Sequence, residues 1–299
     1  MLDDYLNWER YVIRSGVDLP EEYRHEGRVY RLAPADRLYV AGMGGSGVVG
    51  DLIRDLSTVR EWPFEAVVVK DYFFRGRDGL MLAVSYSGNT AETLTAAAAA
   101  LRRGMPVIAI TTGGKLAEMG VPVVKVPKAS APRAALPQML TAALWVLKRI
   151  YGIDFDVPSS LPYDEGLVDR LIKILGARPT IVAPASMQGL AYRVKNEVNE
   201  NAKLDPLVEI LPEAHHNWIE GASGPIMALT SPDIPAEHRM RVKLTVDLLS
   251  GEVFEVPMTV GGILTFLKHV GVATVKIALG RGIDPLRTPR IDELKRRLP

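Results

Sequence analysis

The stretch LYVAGMGGSGVVG, Leu38–Gly50, decides how the chain is read. An apolar run passes through glycines straight into a helical pattern. Such a turn aims free backbone amides at whatever anion lies beyond the strand. Gly42, Gly44 and Gly47 fit G-x-G-x-x-G, the spacing of a dinucleotide-binding loop. A second strand pattern, FEAVVVKDY, ends in Asp71, where such folds hold a ribose hydroxyl. That acid belongs about 20 residues past the glycines, however, and Asp71 lies somewhat farther. Lys70 beside it offers a plain surface pair instead.

A second loop changes the balance. SYSGNT follows the apolar run LMLAV and places Ser85, Ser87 and Thr90 around Gly88 just before another helix. Dinucleotide binding gives no reason for that hydroxyl cluster, whereas a terminal monophosphate is well served by it. Either loop alone reads as ordinary caps and turns. Two on neighbouring strands of one sheet read as a small-phosphate site, with a nicotinamide-dependent oxidoreductase as the minority alternative.

Strands are predicted at RLYVAGM, FEAVVVKDY, LMLAVSYS, PVIAITT and VPVVKVP, all apolar on both faces as helix-covered parallel strands must be. Between them, NTAETLTAAAAALRRG is a helix in which Asn89 with Glu92 forms a capping box and Gly104 ends the run. PQMLTAALWVLKRIYG closes this half. IDFDVPSSLPYDEG is a linker, after which strands PTIVAPAS, PIMALTS and EVFEVPM alternate with helices LVDRLIKIL, QGLAYRVKNEVNENAK and PAEHRMRVKLTVDLLSG. The helices GILTFLKHVGVATVKIAL and TPRIDELKRRLP finish the chain. The reading is α/β: two doubly wound, flavodoxin-like units over 1–152 and 153–299, by internal duplication. The corresponding loops of the second half, APASMQG and LTSPDIP, are poorer in glycine, so the first half is the phosphate-binding one.

The 299 residues carry a formal net charge of +1, from 36 Lys plus Arg against 35 Asp plus Glu. That balance argues against nucleic acid or an anionic membrane as partner. Without cysteine, thiolate catalysis and disulfides are excluded. The N-terminus lacks a secretory apolar segment and no apolar run approaches the roughly 20 residues that cross a bilayer, so the cytoplasm is expected.

The loops GMGGSG and SYSGNTAET resemble the sugar isomerase (SIS) domain. With PKASAPRAALPQ, YRVKNEVNENAK, LPEAHHNWIEG and TPRIDELKRRL, the whole chain resembles the bifunctional phosphoglucose/phosphomannose isomerase family, known mainly from archaea. The resemblance implies two SIS domains, a homodimer, and metal-free interconversion of glucose, mannose and fructose 6-phosphates. It further implies that Gly45, Ser46, Ser85, Ser87 and Thr90 hold the phosphate and that Arg133 lies against the reacting carbons. By the same resemblance Glu200 is the base, His216 opens the ring, Lys295 contacts substrate and Thr288 accepts the mannose epimer. The partner subunit's histidine is implied to complete each site.

The chemistry suits these residues. Aldose–ketose exchange through a planar cis-enediol needs one carboxylate to move a carbon-bound proton, and partial burial would make Glu200 a better base. A permanent cation such as Arg133 stabilises the enediolate oxygen, and a histidine titrates in the range needed at the ring oxygen. Rotation about C2–C3 would expose both faces, giving both epimers. Each residue also has an ordinary reading. Glu200 and Glu197 both suit a solvated helix face, one of His215 and His216 suits a buried hydrogen-bonded role, and Lys295 suits a helix-dipole partner. Arg133 sits where loop arginines often face solvent. His25, His238 and His269 fall outside every motif. A non-catalytic sugar-phosphate sensor on the same domains is the other alternative. The two long apolar helices, at 137–150 and 262–279, are expected to supply a dimer interface.

Overall fold

The structure, a computed structural model, describes residues 1–297. A short helix α1 (Leu2–Leu6) and a 3-10 turn (Trp8–Tyr11) precede a two-stranded hairpin, β1 (Glu22–His25) and β2 (Arg28–Arg31). The first α/β unit follows: β3 (Arg37–Ala41), α2 (Gly44–Val59), β4 (Glu65–Val69), β5 (Leu80–Val84), α3 (Ala91–Arg102), β6 (Val107–Thr111), α4 (Gly114–Ala117), β7 (Val123–Lys125) and α5 (Leu136–Tyr151). The second comprises α6 (Glu165–Gly176), β8 (Thr180–Pro184), α7 (Gln188–Glu197), β9 (Leu207–Leu211), α8 (Trp218–Gly221), β10 (Ile226–Thr230), α9 (Ala236–Leu249), β11 (Glu252–Glu255), α10 (Val260–Gly280) and α11 (Pro289–Arg297). Leu298 and Pro299, which the sequence reading included in the last helix and the second domain, lie outside the described residues.

Both sheets are parallel. The first runs β4-β3-β5-β6-β7 and the second β9-β8-β10-β11. Numbered within each unit these are 2-1-3-4-5 and 2-1-3-4, the same flavodoxin-like winding with one strand fewer, as a duplication requires. Strands β3, β5, β6, β8 and β10 are almost wholly buried because helices cover both faces.

The halves meet where α2 packs on α7. A Cβ at Gly189 would sit 2.7 Å from the Cβ of Asp51, so only glycine allows this approach. Asp55, buried in the same seam, accepts hydrogen bonds from the amides of Gly189 (2.6 Å) and Leu190 (3.2 Å). Burial pushes its carboxyl up to about 7 despite Arg54 alongside. Residues 152–164 contain no helix or strand, yet they are fastened: Asp156 accepts from the amides of Val260 and Gly261, opening α10, and the Asp164 amide donates to His269 Nε2.

Several expectations need correction. α10 is 21 residues long and apolar enough to cross a membrane, whereas no such run is expected from the sequence. Lys268 and His269 interrupt its apolar pattern, but both are buried. The Lys268 ammonium donates to the Leu161 carbonyl at 2.7 Å and pairs with Glu9. Of its most apolar 18 residues, 78% are covered by the protein itself. α5 and α10 are therefore core helices of the chain and not a reserved dimer face. The exposed apolar stripe is instead Met240, Leu244 and Leu248 on α9, at i, i+4 and i+8. The Asn89–Glu92 capping box does not form: Asn89 Oδ1 accepts the Lys115 amide and Thr90 occupies the N-cap without its side chain bonding the helix amides. Lys70 reaches back to Asp51 instead of pairing with Asp71, whose carboxylate takes the Phe73 amide at an exposed turn.

Candidate active site

The glycines of the first loop have steric causes. A Cβ on Gly42 would lie 2.8 Å from the Val84 carbonyl oxygen, and one on Gly47 would lie 2.6 Å from the Gly42 carbonyl oxygen. The loop thereby folds tightly against β5, and Ser46 Oγ accepts the amide of Tyr86 at 3.0 Å, tying GMGGSG to SYSGNT. In the second loop Ser85 Oγ accepts the Gly88 amide at 3.1 Å and lies 3.0 Å from Thr90 Oγ1, while Ser87 Oγ accepts the Asn89 amide. Neither α2 nor α3 has a side-chain cap. The two helices start without side-chain caps beside a hydroxyl cluster, the makings of an anion cradle, although the Ser46 amide turns back to the Met43 carbonyl at 3.1 Å.

Arg133 stands against this cradle. It lies on a 3-10 turn (Pro132–Ala135), and a Cβ on Gly45 would be 3.7 Å from its Cα. Its side chain is 3% exposed, contrary to the usual fate of a loop arginine. Nε donates to Asn201 Oδ1 at 2.6 Å, Nη1 to Glu200 Oε2 at 3.3 Å, and Nη2 to the Pro285 carbonyl.

Glu200 owes its place to an irregularity. The predicted helix over 188–203 changes at Val198 into a π turn, Val198–Ala202, which Lys203 ends in a left-handed conformation (φ +56°). The wider turn directs both Glu200 and Asn201 to Arg133. The two glutamates one turn apart have opposite fates. Glu197 is fully buried, and Glu200 keeps about a quarter of its side chain exposed (26%). Glu200 opens into a cleft of about 550 Å³ shared with Lys203, Thr288 and Arg290. Burial, with Arg133 nearby, holds the Lys203 ammonium below its usual range while it caps the Glu200 carbonyl.

Beneath Arg133 lies a polar cluster that the sequence did not disclose. Glu197 accepts from Tyr5 Oη (2.6 Å), Asn201 Nδ2 (2.7 Å) and Arg193, which also donates to the Arg133 carbonyl at 2.8 Å. Burial raises the Glu197 carboxyl despite these partners. Arg193, Glu197 and Asn201 recur every four residues, a polar stripe whose regularity was the available signal.

The remaining sequence-derived residues are not brought to Arg133 within this chain. His216 is exposed at the end of a 3-10 turn after β9. His215 is the hydrogen-bonded one, with Nε2 2.8 Å from Thr245 Oγ1 and Nδ1 3.2 Å from Arg241. Burial, then Arg241, lowers its pKa. Lys295 is exposed on α11, where Arg296 and Arg297, not Lys295, pair with Glu293. Thr288, at the start of that helix, does share the Glu200 cleft.

Fold and site together define a two-domain SIS protein. The SIS domain family matches residues 31–146, and the bacterial phospho-glucose isomerase C-terminal SIS domain matches residues 172–298. The chain is 60% identical, over the full length of both, to the bifunctional phosphoglucose/phosphomannose isomerase of Pyrobaculum calidifontis. It is equally similar to that of Pyrobaculum aerophilum, covering 99% of it. The fold resembles a glucosamine-6-phosphate deaminase from Thermotoga maritima, with TM-score 0.71 over 96% of this chain and 95% of that one, at 16% identity. The chain belongs to the bifunctional phosphoglucose/phosphomannose isomerase family.

Proposed function

We propose that the chain interconverts glucose, mannose and fructose 6-phosphates by proton transfer through a cis-enediol. The observation that carries this reading is the 3.3 Å contact between Arg133 and Glu200 beside two joined, uncapped helix N-termini. The phosphate docks among the Gly45 amide and the hydroxyls of Ser46, Ser85, Ser87 and Thr90. Glu200 takes the proton from the carbon bearing the hydroxyl and returns it to its neighbour, while Arg133 steadies the charge on the enediolate oxygen. Its partial exposure lets Glu200 reach substrate, and Thr288 across the same cleft contacts the sugar at C2–C3. Lys295 is a further substrate contact.

His216 acts at the ring oxygen from the partner subunit of a homodimer. Its exposure supports this, as does the apolar stripe of α9, the helix that holds the adjoining His215. Mixing Glu200→Gln with His216→Asn protein should then restore about a quarter of wild-type activity, since one site in each mixed dimer is intact. No restoration would place His216 in its own subunit's site.

One assay tests the whole reading. Fructose 6-phosphate incubated with the protein in chelator should give both glucose and mannose 6-phosphates, and Glu200→Gln should lose at least about a hundredfold in rate. Phosphate-ester binding without turnover would favour a sugar-phosphate sensor, and micromolar binding of NADH an oxidoreductase.

A further inference from the structure

Arg133 has five N–H groups, and three are committed to Asn201, Glu200 and the Pro285 carbonyl. One N–H on Nη1 and one on Nη2 remain for a ligand. Asn201 contributes the shorter of its two side-chain contacts, at 2.6 Å, and is itself fully buried. Its amide cannot turn over. Nδ2 donates to Glu197 (2.7 Å) and Thr274 Oγ1 (3.0 Å), so only Oδ1 can face the guanidinium. Because that oxygen is neutral, Arg133 is held without its charge being cancelled from the buried side.

We infer that Asn201 is a positioning residue for the isomerisation: oriented by Glu197 and Thr274, it locks the Arg133 guanidinium with its two unbonded N–H groups presented to the reacting oxygens. This rests on the isomerase reading above. An aspartate at 201 would keep the shape but oppose Glu197 and neutralise Arg133. A leucine would fill the space and leave the guanidinium free to turn. Glu197 thus serves at a distance by fixing the amide, which explains why a carboxylate is kept buried so near the base.

The test pairs two phosphorylated probes on Asn201→Leu and Asn201→Asp. 5-Phosphoarabinonohydroxamate is planar and resembles the enediolate, while sorbitol 6-phosphate offers the same anchor without it. Both variants should bind the hydroxamate at least about tenfold more weakly, the range of one hydrogen bond to a charged group. They should hold sorbitol 6-phosphate unchanged, and kcat should fall with KM within about threefold. If Asn201→Leu does not fold, Asn201→Asp, nearly isosteric, carries the measurement. Equal weakening of both probes, or of neither, overturns the inference. Wild-type protein that binds but never isomerises overturns the reading beneath it instead.

Discussion

After β3 the chain enters α2 through the glycines 42–47 with no side chain hydrogen-bonded to the helix N-terminus. After β8, the first strand of the second half, it enters α7 through Ala185–Met187, and the Gly189 and Leu190 amides are taken by Asp55 of the first half. One sheet winding thus yields two turns in opposite states. The first leaves its helix start open, and the second is plugged by a carboxylate of the protein itself. The repeated winding offers two potential anion sites, and the packing of α2 on α7 closes one of them where the two units join. The surviving site lies beside Arg133, and α7, anchored by the plugged turn, leads into the π turn bearing Glu200.

Turning the open site into a copy of the plugged one should have the largest effect. Gly45→Asp, where a Cβ meets only ordinary contacts at 3.7 Å, would set a carboxylate at the start of α2. Binding of sorbitol 6-phosphate by calorimetry should weaken about a hundredfold, the cost of opposed like charges, with unfolding temperature little changed. Undiminished binding would move the phosphate elsewhere. Ser46→Ala should do less. It removes the tie to the Tyr86 amide, so KM for fructose 6-phosphate should rise several-fold while kcat holds, as expected for a binding contact. A fall confined to kcat would contradict that role.

The plugged turn gives the smallest effect. Asp55 has a folded-state carboxyl at about 7 against an ordinary 3.8, so the folded protein holds an extra proton between those values. Its contribution to stability is complete below about pH 3.8 and is lost as pH rises through about 7. Asp55→Asn keeps an acceptor for the two amides but removes the titration. The unfolding temperature of wild type relative to this variant should therefore decline by several degrees from pH 4 to pH 7.5. A constant difference would show that Asp55 is not protonated in that interval.

The contrast between the turns was half legible in the sequence. Glycines and hydroxyls after β3 and β5 announce themselves because backbone geometry demands them, and the buried strands announce themselves by being apolar on both faces. β9 did not: as an edge strand it leaves Leu207 58% exposed and admits Glu209, so LVEIL carries no clear period. The hairpin β1–β2 was also missed. Its turn residues Glu26 and Gly27 both have positive φ, and Glu-Gly is a weaker turn signature than Asn-Gly. α1 is five residues long, yet its buried Tyr5 ring packs on Gly271 of α10 and its hydroxyl bonds Glu197. NEVNEN reads as a solvated face because Glu197, Glu200 and Asn201 each have a partner far away in sequence that no local pattern announces. Glu197 meets Tyr5, and Asn201 meets Arg133 and Thr274. A π turn has no sequence period at all. The family resemblance selected Glu200 and Arg133, but what holds them together is tertiary.

Isomerisation of fructose 6-phosphate in D2O, followed by proton NMR, tests the central claim most directly. The carboxylate that lifts the proton exchanges it with solvent through the open quarter of its surface, so deuterium should appear at C2 of both glucose and mannose 6-phosphates, and Glu200→Gln should form neither. Both products formed by Glu200→Gln at the wild-type rate, with deuterium entering C2 as it does in wild type, would contradict the account, because Glu200 would then not be the base.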